Sequence, residues 1–158
     1  MKKVRIVLIG AGDRGTTYAN LGAESCPEME IVAVADPDPV RRNYIRDKFG
    51  LDEESCFEWG EDLLRLPKMA DAAIIATQDK MHYEPVIKAL EKGYHVLCEK
   101  PMSPDAKEIV EMGKMAEKYN RIFSICHVLR YSPFFTKLKS LLDSGKIGRL
   151  MSIHHIEE

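Results

Sequence analysis

The sequence predicts an α/β fold in three layers: a doubly wound parallel sheet with helices on both faces. Three observations point to it. Short apolar runs alternate with longer amphipathic stretches along the whole chain. The runs are rich in β-branched residues or nearly continuous in apolar ones, which suits strands buried on both faces. Strand–helix–strand repetition then joins parallel neighbours through helical crossovers.

The elements follow in order. Val4–Ile9 reads as the first strand, and a helix follows the glycine-rich turn after it. The run 31–35 is the second strand, and Asp36-Pro37-Asp38-Pro39 reads as a turn and helix cap. The weaker run 55–59 is a short edge strand. The run 72–76 is another buried strand, and a helix over 81–92 carries Val86, Ile87 and Leu90 at helical spacing and stops at Gly93. His95–Cys98 is the next strand. Pro104 marks the start of a helix bearing Ile109, Val110, Gly113 and Ala116. The run 122–126 is a strand, and Phe134, Phe135, Leu138, Leu141 and Leu142 define a helix over 134–143 that ends before Gly145. After Gly148, residues 149–156 read as a new strand. The expected organisation is therefore one domain over 1–148, with 149–158 as the first strand of a second domain.

The chain has 158 residues, 45% hydrophobic and 30% charged, enough for one well-buried core and too short for two full-sized domains. Lys and Arg number 23 against 25 Asp and Glu, a net charge of −2. That leaves no basic surplus for nucleic acid and no polybasic membrane anchor. No apolar run approaches the ~20 residues that span a bilayer. Met1-Lys2-Lys3 resembles a signal-peptide start, but Asp13 and Arg14 stand where a small-residue cleavage site belongs. Cys26, Cys56, Cys98 and Cys126 form no Cys-x-x-Cys pair and are read as reduced core thiols of a cytoplasmic protein, without a metal site. His154 and His155 are adjacent, point to opposite strand faces and receive no role.

The chemistry gathers at strand ends. Gly10-Ala11-Gly12-Asp13-Arg14-Gly15 lies between a strand and a helix, where it forms a dinucleotide fingerprint. Gly10 permits the tight turn, Gly12 lets the backbone approach a pyrophosphate, and Gly15 allows close helix–strand packing. Asp36 ends the second strand, 21 residues after Gly15, where a carboxylate accepts hydrogen bonds from the adenosine ribose and repels a 2′-phosphate. NAD is expected, and Arg41 and Arg42 leave NADP possible. Thr77-Gln78-Asp79 with His82, Glu99-Lys100-Pro101, and His127 with Arg130-Tyr131 follow later strands, on the edge where open α/β sheets bind ligands. His82 serves as a helix cap, a packing residue or a cofactor contact. Lys100 is the candidate catalyst, an ammonium whose burial would lower its pKa so that it exchanges a proton with a carbonyl or hydroxyl oxygen. Glu99 would orient it.

With these residues in place, the sequence resembles the Gfo/Idh/MocA family (glucose–fructose oxidoreductase, inositol dehydrogenase, rhizopine catabolism). The carrying residues are the glycine turn, Asp36, Thr77 to His82, and Gly93-Tyr94-His95-Val96 running into Glu99-Lys100-Pro101. Arg130-Tyr131-Ser132-Pro133 and Gly145-Lys146-Ile147-Gly148 complete them. The resemblance implies the Rossmann-type half of a two-domain oxidoreductase, moving hydride between a nicotinamide and the carbinol carbon of a sugar or polyol. It implies that Lys100 works beside the reacting oxygen, that the peptide into Pro101 is often cis, and that the 77–82 loop lies along the nicotinamide ribose. Gly10 to Gly15, Asp36, Thr77, Gln78, His82, Glu99, Lys100 and Arg130 are the expected cofactor contacts. Gln78-Asp79 stands for the family's common Pro-Asn, and Val128 for an Asn found in many members. The resemblance also implies a further domain with the substrate pocket and much of a homo-oligomer interface. Two other readings stand beside it: a non-catalytic dinucleotide-binding or sensing module, and a bilin or imine reductase built on the same half.

Overall fold

The computed structural model describes residues 2–156. The chain forms two compact units that divide between Cys126 and His127.

The first unit holds a six-stranded parallel sheet. Its strands are β1 (Val4–Ile9), β2 (Met29–Ala35), β3 (Cys56–Phe57), β4 (Ala72–Ile75), β5 (His95–Cys98) and β6 (Phe123–Ile125), in the order β3-β2-β1-β4-β5-β6. The expected edge strand at 55–59 shrinks to the two residues that pair with Val34 and Ala35. Five helices connect the strands: α1 (Asp13–Ser25), α2 (Pro39–Phe49), α3 (Gly60–Arg65), α4 (Tyr83–Glu91) and α5 (Ala106–Lys118). The helix expected over 81–92 is shorter, because Asp79–Met81 is a separate 3-10 turn and His82 sits between the two.

The order of the sheet follows from where the strands bury their side chains. Successive residues of β1 point to opposite faces. Val7 and Ile9 join a core with Leu63 and Leu64 of α3, Val86 and Leu90 of α4, and Met112 of α5. Ile6 and Leu8 join a second core with Ala19 of α1 and Ile45 of α2. The chain winds outward from β1 through α1 and α2 on one face, then returns through β4 to the other. The strand order therefore reverses between β1 and β4, a switch point where crevices open at the carboxyl ends of strands.

The second unit contains a 3-10 turn over Val128–Tyr131 and helix α6 (Pro133–Asp143), with Phe134 edge-on to Phe135 and Phe135 edge-on to His155. The strand expected at 149–156 does not form. A strand needs a neighbour for its N–H and C=O groups, and no strand among the described residues pairs with this segment. Its apolar residues, Met151, Ile153 and Ile156 among them, are exposed.

Cysteine burial divides the four thiols. Cys98 and Cys126 are buried, Cys56 is half-buried against the second core, and Cys26 is exposed, so the expectation of four core thiols is corrected for Cys26. Cys26 lies just past the end of α1, where the chain turns at the surface. No helix of the described residues is long and apolar enough to cross a membrane.

Candidate functional site

A cleft of about 910 Å³ opens at the switch point of the first unit, lined by the glycine turn, Asp36, Trp59 and Thr77-Gln78. Its geometry starts from the end of β1. Gly10 has φ +91°, and a Cβ there would overlap the Ala76 carbonyl on β4's extension. Only glycine combines that turn with that approach. A Cβ on Gly15 would overlap the Gly10 carbonyl and lie 3.3 Å from Leu8 Cδ1, so its absence seats α1 on the sheet. Gly12 is different. It is the N-cap of α1 and gives no capping side chain, and a Cβ there would meet only the Arg41 Nη1, at 3.7 Å. The first turn of a helix leaves amides without intrahelical acceptors and carries partial positive charge. An open glycine, free helix amides and the flanking Arg14 and Arg41 suit a pyrophosphate.

Asp36 is buried, and its carboxylate shapes the turn. Its Oδ2 accepts from the Ala11 amide at 2.6 Å and its Oδ1 from the Asp38 amide at 2.9 Å, while Arg42 Nη1 donates to its carbonyl at 2.5 Å. Asp38 caps α2 by accepting from the Val40 amide at 2.8 Å, with Pro39 in the first turn. The segment 36–39 is thus a cap and a cleft wall at once. Arg42 is committed to the main chain, whereas Arg41 reaches the cleft, 3.4 Å from Asp38.

Asp13, Arg14, Thr77 and Gln78 line the cleft; Ala11, Gly15, His82, Glu99 and Lys100 do not. His82, read as a helix cap, a packing residue or a cofactor contact, is fully buried. Its Nδ1 lies 2.8 Å from the Pro101 carbonyl and its Nε2 3.0 Å from the Thr77 carbonyl, so it joins two loops. Glu99 is also buried and closes a network. Its Oε1 accepts from the Tyr18 hydroxyl and, at 3.1 Å, from Arg14 Nε, and its Oε2 accepts from the Lys100 amide at 2.7 Å. Burial works against the Glu99 carboxylate, but the hydrogen bonds from Tyr18, Arg14 and Lys100 outweigh it and hold its carboxyl below the ordinary value. Burial, followed by the bond to Glu99, pushes the Tyr18 phenol up.

Lys100 stands exposed at the end of β5, before a cis peptide to Pro101. The expected burial of its ammonium is not met: Lys100 lies two residues past the end of β5 and is exposed. Arg130 lies in the second unit, exposed in the 3-10 turn. Two participants were missed by sequence reasoning. Trp59, read as part of an edge strand, instead caps α3 on the cleft wall and is 47% exposed. Tyr18 carried a readable signal, since Arg14 and Tyr18 are four apart and share a helix face.

Residues 4–127 match the model of an oxidoreductase family with an NAD-binding Rossmann fold, GFO_IDH_MocA. The chain belongs to the Gfo/Idh/MocA oxidoreductases. Among its curated relatives, inositol 2-dehydrogenase 4 of Saccharopolyspora erythraea is 32% identical over 97% of this chain and 45% of its own length. The 2,7-anhydro-N-acetylneuraminate hydratase of Mediterraneibacter gnavus is 31% identical over 98% of this chain and 39% of its own. The crystal structure of scyllo-inositol dehydrogenase from Lactobacillus casei, with bound NAD(H) and scyllo-inositol, superposes with a TM-score of 0.84 at 26% identity. It covers 93% of this chain and 43% of that one. This Gfo/Idh/MocA chain thus spans less than half the length of the relatives it matches, and it corresponds to their NAD-binding domain.

Proposed function

We propose that this chain is the cofactor-binding half of an NAD-dependent dehydrogenase acting on a secondary alcohol or ketone of the sugar and polyol class. In this reading residues 1–148 form the cofactor-binding domain and 149–158 lead into a substrate domain, in a protein that forms homo-oligomers in the cytoplasm. The observation that carries the reading is a shared edge. The open glycine turn after β1 and the Glu99-Lys100-Pro101 turn after β5 are separated only by β4, and Glu99 joins them.

Gly10 to Gly15 receive the pyrophosphate, with Arg14 beside it. Asp36 accepts the ribose hydroxyls on lone pairs that its two amide contacts leave free, and its charge favours NAD. Arg41 is the residue through which NADP would be admitted. Thr77 and Gln78 border the nicotinamide ribose, and His82 supports them from beneath. A bound nicotinamide supplies the hydride acceptor or donor. Lys100 handles the proton: its neutral amine takes the hydroxyl proton as the O–H bond breaks, the carbonyl forms and the carbinol carbon gives up hydride, and in reduction its ammonium returns that proton to the oxygen. The inositol dehydrogenases among the relatives support the substrate class.

The Mediterraneibacter gnavus hydratase favours a second reading, in which the same half serves a reaction whose net outcome is not oxidation. Calorimetric titration of the chain with NAD and NADP tests the first step, with tighter NAD binding expected. Equal or reversed affinities would remove Asp36 from the ribose and promote Arg41. Turnover of a polyol panel by the longer protein, read as NADH formed, separates the two readings.

A further inference from the structure

The Glu99 carboxylate is divided between two parts of the molecule. One oxygen, Oε1, is held by α1 through Tyr18 and Arg14, and the other, Oε2, is held by the Lys100 amide. The side chain of Glu99 is only 6% exposed, and a carboxylate so buried depends on its donors. The two donors on α1 are not equivalent. Arg14 is half-exposed and also faces the cleft, so it can be drawn toward a diphosphate at the glycine turn. The Tyr18 hydroxyl is outside the cleft lining, and it accepts from Arg14 Nη2 at 2.9 Å while donating to Glu99.

We infer that Tyr18 is a positioning residue: through Glu99 it anchors the main chain at Lys100 to the helix that receives the pyrophosphate, and it keeps that anchor when Arg14 turns to the phosphates. The role of Lys100 toward substrate rests on the function proposed above, whereas the anchor itself does not. With Tyr18 present, Glu99 retains a donor on the helix side whatever Arg14 does. Without it, Arg14 must serve both Glu99 and the diphosphate, and the lysine turn loosens as the cofactor arrives.

Amide hydrogen exchange read by NMR on the 158-residue chain tests this, because exchange reports local opening residue by residue. Losing a hydrogen bond to a buried charge should speed exchange at the Lys100 amide in Tyr18→Phe by about ten- to a hundredfold. The amides of Val7 and Ile75, deep in the sheet, should be unchanged. Adding NAD should leave or raise protection at Lys100 in the parent chain and lower it in Tyr18→Phe. Glu99→Gln, which keeps the shape and removes the charge, should raise Lys100 exchange with or without NAD. Unchanged Lys100 exchange in both variants would overturn the anchor. Uniformly faster exchange across the sheet would make Tyr18 a packing residue only. If Lys100 responds as expected without nucleotide and NAD fails to bind the parent chain, the anchor stands and the dehydrogenase reading falls.

Discussion

At Gly12 an added Cβ would meet only the tip of Arg41, and at Gly15 it would run into the Gly10 carbonyl. Two glycines three residues apart should therefore fail differently. Gly12→Val is expected to cost only about 1 kcal/mol of stability, as a poorer N-cap does, and to abolish NAD binding by filling the pyrophosphate seat. Thermal melting with calorimetric titration checks both halves, and retained binding would make the loop an ordinary turn. The thiols offer a second residue-scale expectation. Burial pushes Cys98 up to about 12 and raises Cys126, while Cys26 is exposed. Reactivity follows the thiolate and its access, so alkylation at neutral pH followed by mass spectrometry should label Cys26 first and leave Cys98 and Cys126 until the chain unfolds. The glycine roles were legible in the sequence because a spacing encodes them. The burial of Cys26 and Lys100 was not, since exposure depends on how the chain turns past an element's end.

Among the elements, the buried strands were legible and two of the helices were not. Val4–Ile9 and His95–Cys98 match their expected bounds, because strands covered on both faces leave unbroken apolar runs. Helix α2 buries only Ile45 and has no apolar stripe to read, so its start is set by the cap at Asp38. Asp38→Ala should accordingly cost about 1 kcal/mol, measured by urea denaturation. The 149–156 segment shows the opposite error: its apolar pattern is strand-like, but pairing is a property of two strands. The Glu99 link between α1 and the β5 turn has a pH signature. Its folded carboxyl is held below the ordinary value, so the link stabilises fully above the unfolded range near ~4.3 and is lost as pH falls through the lowered folded value. The stability gap between the parent and Glu99→Gln should be constant from neutral pH down to that range and shrink below it.

For the whole molecule, the doubly wound parallel sheet and the NAD-binding character of the domain were readable, since the glycine turn, Asp36 and the Glu-Lys-Pro turn each mark a strand's carboxyl end. The tie through Tyr18 was not, because it joins residues 81 apart in sequence. In the two-domain dehydrogenase proposed above, Lys100→Met should lower turnover by about 10²–10⁴-fold while NAD affinity stays within a few-fold. Stopped-flow NADH formation with a responsive polyol measures it, and near-normal turnover would end the assignment of Lys100. One feature of the cleft wall makes the loading step visible without a label. The chain contains a single tryptophan, and it is Trp59. Indole emits where reduced nicotinamide absorbs, so a bound NADH would dim Trp59 and glow in its place. Free nucleotide would not do so, nor would a chain carrying Trp59→Phe. The colour of the emitted light then counts occupied clefts directly.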